Sequence, residues 1–140
     1  MQNELRLVYT IAMDRDTIVQ SYITKSEDDL QTAQELYKAG RYSWCLFIFH
    51  LALERLFKAY LIKSDKEILY IHDLVRLAKQ TNLQLKEHEL DILREITTFN
   101  LEARYDDYKL SFYKKATKEY TTIWKRHCEE FYTFLIEKLS

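Results

Sequence analysis

Residues 100–109 read NLEARYDDYK, three acidic and two basic side chains in ten positions. Asn100 and Arg104 stand four residues apart, so on a continuing helix they share a face. Arg104 offers a bidentate donor to phosphate or carboxylate, Asn100 offers an amide, and Tyr105 offers a ring that stacks on a base or closes a pocket rim. Asp106 and Asp107 repel a phosphate unless bases neutralise them. They equally suit the end of a helix or an internal hold on Arg104. The residues therefore admit both a ligand corner built from Asn100, Arg104, Tyr105 and Asp106 and a plain polar exit turn. Arg104 is the strongest single candidate for function.

A second constellation lies earlier in the chain. His50, Glu54 and Lys58 repeat every four residues and line one side of a helix. There Glu54 could orient a base and Lys58 could meet phosphate, or the three could form a core-edge histidine with solvent-reaching ion pairs. His72 followed by Asp73 fits an acid/base pair, and it fits equally a helix start at which Asp73 caps exposed amides. Cys45 and Cys128 lie far apart, and neither they nor the four dispersed histidines build a metal-ligand pattern. Cys45 sits in an apolar run and reads as a buried thiol. No metal or cofactor is expected.

These side chains must be carried by one core, because 140 residues suffice for a single domain and not for two. With 47% hydrophobic and 31% charged residues the chain is globular rather than a disordered tail. A formal charge of −1 makes no whole-molecule case for nucleic acid and leaves local basic patches open. No signal peptide or membrane-spanning stretch is read, so a reducing cytoplasm is the expected location and no membrane partner is expected.

Proline is absent and Gly40 is the one glycine, too little turn chemistry for a parallel α/β fold or a glycine-rich phosphate loop. Helices joined by short polar connections fit instead. Residues 1–13 are read as a loose N-terminal arm. From Asp14 to Lys38 apolar side chains such as Val19, Ile23, Leu30, Ala33 and Tyr37 recur at helical spacing, and Gly40 supplies a stop. RYSWCLFIFHLALERLFKAYLIKS is apolar around much of its circumference and is the expected innermost helix, with Trp44 among its core residues. IHDLVRLAKQ reads as a short helix, a further helix is expected from about Lys86 into Leu101, and a final long run carries Phe112, Ala116, Tyr120, Trp124, Phe131 and Leu135. The expectation is an all-α up-and-down bundle of four main helices and a short accessory helix, one domain over residues 1–140.

Taken in order, GRYSWCLFIFHLALERLFKAYLI, HDLVRLAK and NLEARYDDY resemble the HEPN family. The resemblance rests on ALERLFKA in the second helix, on His72-Asp73-Leu74 at the third-helix start, and on Ala103-Arg104-Tyr105 followed by an acidic residue. It covers roughly Ser21 to Leu139. What it implies is an α-helical bundle, often a homodimer, found beside minimal nucleotidyltransferases and in stress or defence modules of the toxin-antitoxin kind. Many HEPN proteins are metal-independent ribonucleases using an arginine and, after a short polar segment, a histidine. Arg104 matches the arginine, but five residues later stands Lys109. In the familiar arrangement the histidine moves a proton while arginine stabilises phosphate charge. Lysine at its ordinary pKa substitutes poorly as the base.

The leading expectation is accordingly a HEPN-like accessory module, a binder rather than an enzyme, that takes nucleotide, RNA or a protein partner and pairs with a minimal nucleotidyltransferase. One alternative is a divergent metal-independent ribonuclease toxin, with Arg104 at the phosphate, Lys109 adding charge and His50 or His72 arriving from another helix. The other is a purely structural helical interaction protein with an aromatic docking surface.

Overall fold

The computed structural model describes the backbone of residues 2–102 and 104–140 and the side chains of residues 14–102 and 104–140. Among these residues the chain forms six helices: α1 (Gln2–Lys38), α2 (Tyr42–Lys63), α3 (Leu74–Gln80), α4 (Glu87–Thr97), α5 (Asp106–Lys115) and α6 (Lys118–Leu139). The arm read for residues 1–13 involves side chains outside the described ones; the backbone is helical from Gln2. No helix among the described residues is long and apolar enough to cross a membrane.

The all-α class holds, but four main helices with one accessory helix is corrected to six helices. The final run, which periodicity alone joins into one helix, is divided at Ala116 and Thr117. Ala116 leaves helical geometry at φ −77° and ψ 62°, and the Thr117 hydroxyl accepts the Tyr120 amide to begin α6 afresh. Phe112 and Ala116, on the near side of the break, are both buried in the core. The helix read from Lys86 into Leu101 is also shorter. It ends at Thr97, where the Thr97 and Thr98 hydroxyls bond back to the carbonyls of Leu93 and Glu95 and the backbone turns Phe99 inward.

Two helix ends use the same device. Gly40 adopts φ 73°, and the Arg41 amide bonds to the Leu36 carbonyl while the Gly40 amide bonds to that of Tyr37. This satisfies the last carbonyls of α1 in a Schellman turn. After α2 the same pair of bonds forms around Asp65 at φ 59°, a conformation that costs a non-glycine residue more.

The central element is α2, as its all-round apolarity predicts. Leu46, Phe49, Leu53, Leu56, Phe57 and Leu61 are buried along its length, and it packs against α1, α3, α4, α5 and α6. Full burial of each such side chain contributes about 1.5–3 kcal/mol. The helix α1 is tied to α6 by Gln34 to Glu129 and by Ser26 with Tyr132, and to α2 by the Arg55–Asp29 ion pair at 2.6 Å. At the opposite side Asp73 caps α3 through the amides of Val75 and Arg76, as read. The Leu74 amide donates to the Thr97 hydroxyl, which fixes the start of α3 to the end of α4. These anchors determine where the segment between α4 and α5 begins.

Candidate functional site

Because α4 stops at Thr97, Asn100 and Arg104 do not share a helical face. They lie in the connection between α4 and α5, held by local bonds. Asn100 is buried at 2% exposure, and its Oδ1 accepts the Glu102 amide at 3.1 Å, turning the chain outward. The Arg104 amide donates to the Leu101 carbonyl, and the Arg104 guanidinium lies 4.8 Å from the centre of the Tyr108 ring. Tyr108 is itself fixed: its hydroxyl donates to the Thr98 carbonyl at 2.8 Å and its ring stacks on Phe112. Phe112 meets Phe99, which meets Trp124, so an aromatic column supports Arg104 from the core. Ala103 lies outside the described residues.

The electrostatics of this loop are unusual for an arginine. The guanidinium faces a ring rather than a carboxylate: none of the ion pairs among the described residues includes Arg104. Asp106 and Asp107 occupy the first turn of α5, where acidic side chains complement the helix dipole. The donors Asn100 Nδ2 and Arg104 Nε are both buried without a partner among the described residues. Two unmet donors on one short loop suit an oxygen acceptor, such as that of a phosphate or carboxylate. Tyr105 stands beside them at 90% exposure.

Next to the loop is a cavity of about 350 Å³ walled by Trp44, Phe47, Leu101, Glu102, Lys109 and Tyr113. It collects residues from the start of α2, the α4–α5 connection and one face of α5. Lys109 thus faces this cavity, one helical position away from the Tyr108 that holds Arg104. Trp44, which the apolar run places in the core, is 55% exposed at the cavity instead, packed edge-on against Phe47.

The second constellation is brought together as well, and expanded. Glu54 Oε2 accepts from Lys58 Nζ at 2.9 Å and Glu54 Oε1 from His72 Nδ1 at 2.7 Å, while His50 Nε2 donates to the His72 carbonyl at 2.9 Å. Burial acts to raise the Glu54 carboxyl, but its hydrogen bonds to Lys58 and His72 outweigh that and hold it below the usual carboxylate range. Burial lowers His50, keeping it neutral, with the His72 carbonyl fixing the proton on Nε2. This network fastens the segment between α2 and α3 onto α2. His72 itself is half-exposed and oriented by a carboxylate, the disposition of a proton-transfer histidine. No hydrogen bond or ion pair among the described residues joins it, His50 or Lys58 to Arg104 or Lys109. The two constellations are separate.

The thiols are structural. Burial raises Cys45 to about 12 and Cys128 well above its ordinary value, so neither is a nucleophile at neutral pH. Among the described residues no group of three or more His, Cys, Asp or Glu side chains is placed to hold a metal ion. Sequence reasoning missed Tyr108, Trp44 and Tyr113. The Arg104-x-x-x-Tyr108 spacing, four residues, was the available signal for the first; the others are recognisable only once α5 is seen as its own helix beside the start of α2.

No curated protein matches the chain. In structure it is similar to TT1696 from Thermus thermophilus, with a TM-score of 0.74 over 86% of this chain and 97% of that one. At 16% identity that likeness shows the fold. The model of the HEPN domain matches residues 19–139, from the middle of α1 through the end of α6. The chain belongs to the HEPN domain family.

Proposed function

We propose that this HEPN domain is an accessory module that binds a phosphate-bearing ligand, a nucleotide or RNA, along the α4–α5 connection, and that it works as a homodimer beside a minimal nucleotidyltransferase. The observation that carries the reading is Arg104, held over the Tyr108 ring without a carboxylate partner among the described residues, with the unmet donors Arg104 Nε and Asn100 Nδ2 on the same loop. A guanidinium supported by a ring keeps its charge available to an anion. Lys109 adds a second cation at the neighbouring cavity and Tyr105 an exposed ring. Exposed apolar side chains at Leu110 and Ile123 leave surface for a second copy or for the nucleotidyltransferase. Titration of the purified protein with 5′-phosphorylated RNA and with mononucleotides, by anisotropy or calorimetry, tests it. Binding should weaken at least tenfold in Arg104→Ala with unchanged mass and melting. Equal affinity in the two proteins removes the reading.

The ribonuclease alternative draws on one observation, the half-exposed His72 oriented by Glu54. Cleavage of an RNA pool without divalent metal, lost in both His72→Ala and Arg104→Ala, is what it requires. Cleavage absent from the dimer and from its complex with any obligatory partner counts against it.

A further inference from the structure

The cavity between α2 and α5, to which the α4–α5 connection contributes Leu101 and Glu102, has a composition that goes beyond phosphate binding. Its volume of about 350 Å³ falls within the range of small-ligand clefts, about 300–1,000 Å³. Two aromatic rings reach it from different elements, Trp44 from α2 and Tyr113 from α5, and they are 55% and 69% exposed. Large rings left half in water at a cavity offer stacking surface to a ligand. Trp44 and Phe47 lie 6.1 Å apart between ring centres with planes at 84°, so the two rings do not stack on one another. The floor is apolar, from Phe47 and Leu101. The charged groups are one acceptor, the Glu102 carboxylate, and one cation, Lys109, with the Ser43 hydroxyl beside them. Neither takes part in an ion pair among the described residues, although both line the same cavity. Glu102 is set there by the Asn100 side chain, which holds its amide.

Flat rings, a carboxylate and a lysine, with Arg104 two residues from the carboxylate, describe a ligand that is planar and donor-bearing at one end and anionic at the other. We infer that this cavity is a nucleobase pocket, in which Trp44 and Tyr113 stack on the base of a nucleotide, Glu102 reads its hydrogen-bonding edge, and Lys109 with Arg104 takes its phosphate. The inference rests on the phosphate-binding reading for the Arg104 half alone. The carboxylate makes the pocket selective. Guanine presents two adjacent donors, N1–H and the N2 amino group, which meet both oxygens of a carboxylate. Adenine and cytosine present one amino group beside an acceptor. Uracil presents one N–H between two carbonyls that a carboxylate repels. Guanine is therefore the preferred base and uracil the poorest, by about tenfold for a bidentate contact.

Calorimetry and Trp44 fluorescence with GMP, UMP, guanosine and ribose 5-phosphate test this on the full chain. GMP should bind about tenfold tighter than UMP, and about a hundredfold or more tighter than ribose 5-phosphate, which has no base to stack. Trp44→Ala and Tyr113→Ala should each cost about tenfold or more in GMP affinity, the scale of base–aromatic stacking. Both rings are largely exposed, so neither variant removes core, and melting curves verify that. Glu102→Gln should abolish the preference for GMP over UMP and leave ribose 5-phosphate binding unchanged. A single guanine within an oligouridine distinguishes the source of the base: tighter binding than GMP assigns the pocket to single-stranded RNA, and weaker binding assigns it to free nucleotide. Equal binding of GMP and ribose 5-phosphate, untouched by Trp44→Ala and Tyr113→Ala, overturns the pocket while the phosphate edge stands. Guanosine binding as tightly as GMP, sensitive to Trp44→Ala and indifferent to Arg104→Ala, overturns the phosphate edge while the pocket stands. Binding of none of these probes, nor of the oligonucleotide, overturns both.

Discussion

Replacing Lys58 by methionine removes the ammonium from the most buried charge network among the described residues while keeping the aliphatic stem. Glu54 and Lys58 face each other one turn apart on α2, with side chains 9% and 11% exposed and 2.9 Å between Oε2 and Nζ. In Lys58→Met, Glu54 keeps the bond from His72, but its second oxygen is left buried and unpaired. Removing one partner of a buried ion pair costs about 3–5 kcal/mol. The hydrogen bond from His72 still satisfies one oxygen of Glu54, so the lower end applies, about 3 kcal/mol. For a chain of this length that is a fall of roughly 10 °C in Tm. Thermal and urea unfolding followed by circular dichroism at pH 7.5 reads it directly. The double variant Lys58→Met with Glu54→Leu should recover most of the loss, because a hydrophobic pair of similar volume replaces a buried ion pair at little cost. A single variant within about 0.5 kcal/mol of the parent, beneath the usual size of any buried-charge effect, would show that Glu54 is solvated and the network reasoning wrong.

Three further outcomes follow from other parts of the fold. His50 is lowered by burial from its ordinary 6.5, so below that pH the unfolded chain binds a proton that the folded chain refuses. Stability should therefore fall as pH drops below about 6.5, with a slope approaching roughly 1.4 kcal/mol per pH unit; Glu54, held low, adds its own loss at more acid pH as it protonates. Urea midpoints from pH 7.5 to 5 should flatten in His50→Gln, and an unchanged slope would locate the acid sensitivity elsewhere. Thr117→Ala removes the hydroxyl that starts α6 and should cost about 1 kcal/mol, measured by the same unfolding curves. Asp65→Gly relieves φ 59° at the end of α2 at the expense of an exposed ion pair with Arg15, and should stabilise by about 0.5–1 kcal/mol; a lower midpoint would mean that the Arg15 contact outweighs the backbone strain.

The parts of the bundle that sequence made legible are those in which one physical signal dominates. Gly40 and Asp73 are read correctly because a left-handed turn and a side-chain cap have few residue solutions. The central place of α2 follows from apolar residues on every face, which demand neighbours all around. Where two signals compete, periodicity misleads. Phe112, Ala116, Tyr120 and Trp124 keep a helical interval across a point at which the chain is not helical, because α5 and α6 both direct their stripes to the same core. Nothing in the interval itself reveals the break. The Thr117 cap does, but a threonine followed by charged residues occurs on many unbroken helices. At the end of α4 two threonines that bond backward shorten a helix whose leucines and isoleucines would otherwise carry it on.

That shortening is also why the candidate site was only partly legible. Arg104 stands out from residue type alone, but the helix that would have paired it with Asn100 does not exist, and its companion is Tyr108, reached across a turn into a new helix. The Arg104–Tyr108 contact depends on Phe112, Phe99 and Trp124 standing behind Tyr108, hence on three parts of the fold at once. The break at Thr117 and the chemistry at Arg104 are thereby linked. Dividing the last run sets α5 across the start of α2, and that placement puts Lys109 and Tyr113 against Trp44. A continuous helix could not turn at Ala116 to give α5 and α6 different directions. Lys109, which stands where the family resemblance leads one to expect a histidine, thereby lines an aromatic cavity with the Glu102 carboxylate on the same wall.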